Sequence, residues 1–125
     1  MVLSFTVTIA THTAAAVDLA TLLVSGSQTG YTVAPAGGYG GGTSYTGRIP
    51  KQWSRRTIQA SNGNGSAVLY VGDADTKTDG SRQGLELLAG DSDTRENDDN
   101  RVGLQGVYVR ASADGAKFNV IVEGA

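Results

Sequence analysis

Twelve acidic side chains and one histidine are the groups in this sequence best suited to hold a cation or move a proton. Counting from Asp75 places Asp75, Lys77, Asp79, Gly80 and Glu86 at the first, third, fifth, sixth and twelfth positions of a calcium loop. A lysine at the third position would point a cation at a cation, and Arg82 stands at the eighth in place of an apolar residue. The match is a coincidence of spacing. A second acidic run, Asp91, Asp93, Glu96, Asp98 and Asp99, offers the carboxylate oxygens that hard cations take. It reads instead as a solvated edge whose charges discourage strand pairing. No metal and no cofactor is expected.

His12 lies in a Thr/Ala connector after the first apolar run. A serine triad would need it beside a serine and an acid, and no nucleophile motif is present. It reads as a rim histidine. Two carboxylates can cleave glycosides, but none of these acids sits in the apolar setting that raises a carboxyl into acid duty. The run Ala36–Gly42 is interrupted by Tyr39 and lacks a following Lys-Ser/Thr pair, so it is no phosphate loop. Asn64-Gly65-Ser66 matches a glycosylation sequon and reads as a turn. No catalytic residue is expected, and the chain reads as a non-enzyme.

The bounds agree. At 125 residues the chain is expected to form one domain, 1–125, with a thin core of Val, Leu, Ile and Ala, since it has 18 glycines and few aromatics. A thin core makes oligomerisation plausible. A net charge of -2 without a cationic block argues against nucleic acid. Without cysteine there is no disulfide, thiolate or cysteine-zinc chemistry. No apolar run approaches the ~20 residues that cross a bilayer. The start alternates like a strand and lacks a cationic leader, which points to a soluble protein made in the cytoplasm.

Leu3, Phe5, Val7 and Ile9 alternate with Ser4, Thr6 and Thr8, predicting a strand over 2–10 with one buried face. Val17–Val24 is a second apolar segment. Val17, Leu19, Thr21 and Leu23 would share one face of a strand; Leu19, Leu22 and Leu23 also fit a helical period, and the neighbouring strands favour strand. Residues 25–47 turn to Gly, Ser, Thr, Ala and Tyr. They read as an inserted loop, or as an arm that orders on a partner with Tyr31, Tyr39 and Tyr45 as anchors. Trp53 then sits among four of the ten cations, Arg48, Lys51, Arg55 and Arg56. Trp and Arg are enriched at interfaces, although a Trp capping the core among solvated cations fits as well.

Further on, residues 56–60 and 68–72 read as a hairpin about the Asn-Gly steps at 62–65. Residues 85–88, 103–110 and 116–123 read as strands, and 91–101 as an exposed segment. The expected fold is all-β: a small antiparallel β-sandwich, jelly-roll-like or Ig-like, of about 7–8 strands with a Gly-rich extended loop.

The order of these segments has a parallel. It runs Arg55-Arg56-Thr57-Ile58-Gln59-Ala60, an Asn/Gly turn, then Val68-Leu69-Tyr70-Val71-Gly72-Asp73. A polar loop, Gly84-Leu85-Glu86-Leu87-Leu88 and Ala89-Gly90-Asp91-Ser92 follow. It closes with Leu104-Gln105-Gly106-Val107-Tyr108-Val109-Arg110 and Val120-Ile121-Val122. This resembles small β-sandwich virion proteins of tailed bacteriophages, head-decoration (cement) proteins among them. Asp93–Asn100 is more charged than the strand usual there, and the Gly/Tyr segment at 30–46 looks inserted.

The resemblance implies a structural protein on the capsid surface that binds the major capsid protein or other virion proteins. It also implies a cyclic homo-oligomer, a trimer favoured. The expected contact residues are Leu3, Phe5, Tyr31, Tyr39, Tyr45, Arg48, Trp53 and Arg55. Two alternatives stand beside it. One is a tail, neck or fibre-base protein. The other is a carbohydrate- or receptor-binding module whose Tyr31, Tyr39, Tyr45 and Trp53 stack on sugars. A cupin-like metal fold is disfavoured by the single histidine.

Overall fold

Alternation becomes a core only when neighbouring strands hold the same register. A computed structural model describes residues 2–38, 52–79, 81, 84–97 and 102–124. In chain order its elements are β1 (Val2–Ile9), α1 (Leu19–Ser25), β2 (Tyr31–Gly38), β3 (Gln52–Trp53), β4 (Arg55–Ala60) and β5 (Leu69–Gly72). After these come β6 (Leu85–Leu87), β7 (Ser92–Glu96), β8 (Val102–Gly103), β9 (Tyr108–Ala111) and β10 (Ala116–Glu123). The main sheet has the order β2-β1-β10-β4-β7, a second has β6-β5-β9, and β3 pairs with β8. Every pairing is antiparallel. The fold is a small all-β, sandwich-like domain, as expected.

Register explains the core. Phe5 lies opposite Val120, which lies opposite Ile58; Val7 lies between Val33 and Phe118, and Phe118 faces Ala60. All seven side chains are buried. They form one apolar cluster with Leu69, Val71, Leu87 and Val109 of the second sheet and with Leu19, Leu22 and Leu23 of α1. Each such side chain is worth ~1.5–3 kcal/mol of transfer out of water, so the shared interior outweighs any surface contact described below.

Several expectations change. Residues 19–25 are helical, not a strand. Asp18 caps the helix by accepting the Thr21 amide at 2.9 Å, and Gly26 (φ 74) ends it by donating its amide to the Leu22 carbonyl at 3.0 Å. Leu19, Leu22 and Leu23 then share the buried face. The supposed loop from 25 begins an edge strand at Tyr31, because Tyr31 and Val33 alternate inward and are buried.

The hairpin of 56–60 with 68–72 does not form: β4 pairs with β10 and β7, and β5 with β6 and β9. A single turn of 3-10 helix at Asn62–Asn64, capped by the Ser61 hydroxyl, carries the chain from one sheet to the other. The expected strand at 103–110 is two pieces, β8 and β9, separated by a turn at Gly106 (φ 77). The acidic segment contributes an edge strand, β7, whose residues apart from Asp93 are exposed. The described strands number ten rather than seven or eight, with β3, β6 and β8 only two or three residues long.

Candidate interaction surface

The expected contact residues divide sharply. Leu3 and Phe5 are each 1% exposed, Tyr31 is 2% exposed and Trp53 1% exposed, so all four side chains belong to the core. The reason is the alternation that drew attention to them: in β1 and β2 it marks the inner face of the sheet. Trp53 follows the core-capping reading. Burial pushes the Tyr31 phenol above its usual pKa, against the nearby Arg110 charge and a hydrogen bond donated by the Val17 backbone. Tyr39, Tyr45 and Arg48 lie outside the described residues. Arg55 alone is both described and on the surface.

Arg55 sits between two carboxylates. Nη2 lies 3.2 Å from Glu123 Oε1 and Nη1 3.6 Å from Glu96 Oε1. The three side chains and Ser54 line a shallow open depression. Ser54 holds its place by donating both its amide and its hydroxyl to the Glu123 carbonyl, each at 2.9 Å. Exposed pairs of this kind contribute only ~0–1 kcal/mol each, so the group tethers side chains more than it stabilises the fold.

This depression is one end of a larger surface, the outer face of the main sheet. Register arranges that face in rows. Ala34, Thr6, Asn119, Gln59 and Ser92 cross it in one row; Ser4, Ile121, Thr57 and Thr94 cross it in the next. Neither row contains a charge among its described residues. The Thr6 hydroxyl donates to Asn119 Oδ1 at 2.7 Å, and Thr57 and Thr94 share a hydrogen bond of 3.2 Å. Charges stand at the ends: Lys117 beyond the first row, and Glu123, Arg55 and Glu96 beyond the second. Charge-poor centres with charged rims are the anatomy of protein interfaces, and side chains already fixed lose less entropy on docking.

Two other polar groups position the scaffold. On the inner face at the β4–β7 edge, Arg56 and Asp93 are each 11% exposed, with Nη2 and Oδ2 3.9 Å apart. Arg56 Nη1 donates to the Gly103 carbonyl at 3.0 Å, while its buried Nε has no partner among the described residues. Burial pushes the guanidinium below its usual pKa; Asp93 opposes this and Arg95 adds to it. At the opposite end of the sheet, Asp114 accepts from both the His12 ring and the His12 amide, the latter at 2.9 Å. These bonds hold the Asp114 carboxyl below its usual pKa. His12 is thus a clasp between the β1–α1 connector and the β9–β10 turn.

Among the described residues, no three His, Asp or Glu side chains gather where they could hold a metal ion. No helix among them is long and apolar enough to cross a membrane. Sequence reasoning missed the outer face because its rows join strands distant in the chain. The one available signal was the unbroken Ser4-x-Thr6-x-Thr8 half of the alternation. Comparisons of the chain with protein-family models, curated proteins and solved structures give no match.

Proposed function

We propose that this chain is a non-enzymatic structural protein of a bacteriophage virion, of the head-decoration type, that binds and stabilises the capsid lattice. The supporting observation is the outer face of the main sheet, whose described residues are uncharged at its centre and fixed by internal hydrogen bonds. Such a face suits a part that docks on protein rather than one that turns over a small substrate. Stabilisation then follows by mass action: whatever binds the assembled lattice and not its separated subunits favours the lattice. Tyr39, Tyr45 and Arg48 remain the sequence-based candidates for lattice contact, with Arg55 at the rim. The partners would be the major capsid protein and further copies of this chain, on the capsid surface.

The test is the location and copy number of the chain in gradient-purified particles, by immunogold labelling and quantitative gel staining. Hundreds of copies spread over the head are expected. A few copies at one vertex or on the tail would transfer the protein to the neck or fibre base, and absence from particles would overturn the reading. A glycan-binding role is weakened by burial: two of the four aromatics it needs, Tyr31 and Trp53, are in the core.

A further inference from the structure

We infer that the outer face of the main sheet docks a second copy of this chain, related by a two-fold axis that lies between the sheets and runs perpendicular to the strands. The inference rests on reading this face as a protein-docking surface, and not on where the protein resides.

Self-complementarity carries the argument. Lys117 and Glu123 lie on the same strand, β10, at opposite ends of the uncharged centre. A half-turn about the stated axis reverses strand direction while keeping each strand over its own counterpart. Lys117 of one copy then meets Glu123 of the other, twice per dimer. Among the described residues, Glu96 and Glu123 with Arg55 leave that end with one net negative charge, against one positive charge at Lys117. Between the ends, Asn119 meets the other copy's Ile121, again twice. Among the described residues the charges that β10 brings together are opposite in sign.

Size and order agree. Five strands at ~4.8 Å spacing, with five to eight residues at ~3.3 Å each, give a footprint of roughly 500 Å² per copy. Two such faces bury roughly 1,000 Å², about the least that a specific interface needs. The Thr6–Asn119 and Thr57–Thr94 hydrogen bonds already order the centre. Sheet-on-sheet packing with strands roughly aligned is a common way to cover a sheet face. The ends call for a pair, in place of the trimer that the phage resemblance implies, because a two-fold contact uses the same patch on both copies.

The experiment is sedimentation of the purified chain over a concentration series, with the particle assay run separately on the same variants. The wild type should form dimers. Lys117→Glu should weaken them about tenfold or more by setting acid against acid at both ends. Lys117→Glu combined with Glu123→Lys should restore them, since the charges are then reversed but again complementary. Restoration separates the pairing from any general effect of a charge change. Ile121→Arg at the centre should abolish the dimer. A wild type that stays monomeric throughout, or a dimer untouched by both Lys117→Glu and Ile121→Arg, overturns the inference. A dimer that behaves as described but is missing from particles upholds the inference and removes the virion reading.

Discussion

The side-chain amide of Asn64 pairs with both backbone groups of Lys117, as a further strand residue would. Nδ2 donates to the Lys117 carbonyl at 2.9 Å, and Oδ1 accepts the Lys117 amide at 2.8 Å. β4 has ended at Ala60, and this amide closes the ladder on β10 together with the Ser61 amide, which also donates to the Lys117 carbonyl at 3.0 Å. The consequence for Asn64→Asp is direct. A carboxylate keeps the acceptor but sets its second oxygen against the Lys117 carbonyl. The variant should lose ~1–2 kcal/mol at neutral pH. Part should return below the usual aspartate pKa of ~3.9, where the carboxyl regains a proton to donate. Urea unfolding at both acidities checks it; equal losses at both would show that the amide donor is idle.

Trp53 is a core residue, so truncation should act on stability. Trp53→Ala is expected to cost ~3–5 kcal/mol through the cavity it leaves beneath β3 and β8. Arg55→Ala, at the rim, should change stability by less than ~1 kcal/mol. Chemical denaturation of the two variants decides: comparable losses would contradict the placement of Trp53.

The glycine at 124 is required by its neighbour. Gly124 has φ 96, and a Cβ there would lie 2.0 Å from Ser54 Oγ and 2.7 Å from Ser54 Cβ. Gly124→Ala should therefore cost at least ~1–3 kcal/mol. Removing the obstructing side chain with Ser54→Gly should recover part of that loss in the double variant, leaving the cost of the positive φ and of the backbone nitrogen of residue 54, 3.0 Å away. Full additivity of the two changes would mean that the clash is avoided by other means.

How much of this was legible in the sequence depends on how local each signal is. The alternation in β1 and the apolar run of β10 are local, and both strands lie close to where they were expected. The helix at Leu19–Ser25 was readable only through its ends: Asp18 before it and Gly26 after it settle what three leucines leave open. Asn-Gly chemistry at 62–65 announced a turn correctly, but a turn does not choose the partner of the strands it joins. β4 and β5 go to different sheets because their partners, Val120 and Val109, are far along the chain. The outer face is the extreme case. Thr6 reaches Asn119, and Thr57 reaches Thr94, through register alone.

The charged corner on the inner face should respond asymmetrically to its two partners. Arg56 is desolvated and its Nε lacks a partner among the described residues, whereas Asp93 also lies 3.3 Å from Arg95. Arg56→Met removes a costly charge and leaves Asp93 paired, so it should be within ~1 kcal/mol of neutral. Asp93→Ala leaves Arg56 and Arg95 opposite each other across β4 and β7. It should cost ~2 kcal/mol, below the ~3–5 kcal/mol of a fully buried pair. A reversed order of losses in urea would show that the pair stabilises the corner more than its burial costs.

The His12–Asp114 clasp predicts a dependence on acidity. Hydrogen bonds from the His12 ring and then from its amide depress the Asp114 carboxyl below its usual value of 3.8. A depressed carboxyl contributes stability that is fully present above its unfolded pKa and is lost as pH falls through the folded value. The contribution should therefore fade as pH falls below 3.8. Asp114→Asn keeps an oxygen to accept from His12 but carries no charge, so its unfolding temperature should lack this component. The gap in Tm between wild type and Asp114→Asn should close as the solution is acidified past that point. Arg110 donates to the His12 carbonyl at 3.3 Å and stays charged throughout, so it cannot imitate the effect. A gap that does not change with acidity would mean that the clasp holds by geometry alone, with no help from the charge on Asp114.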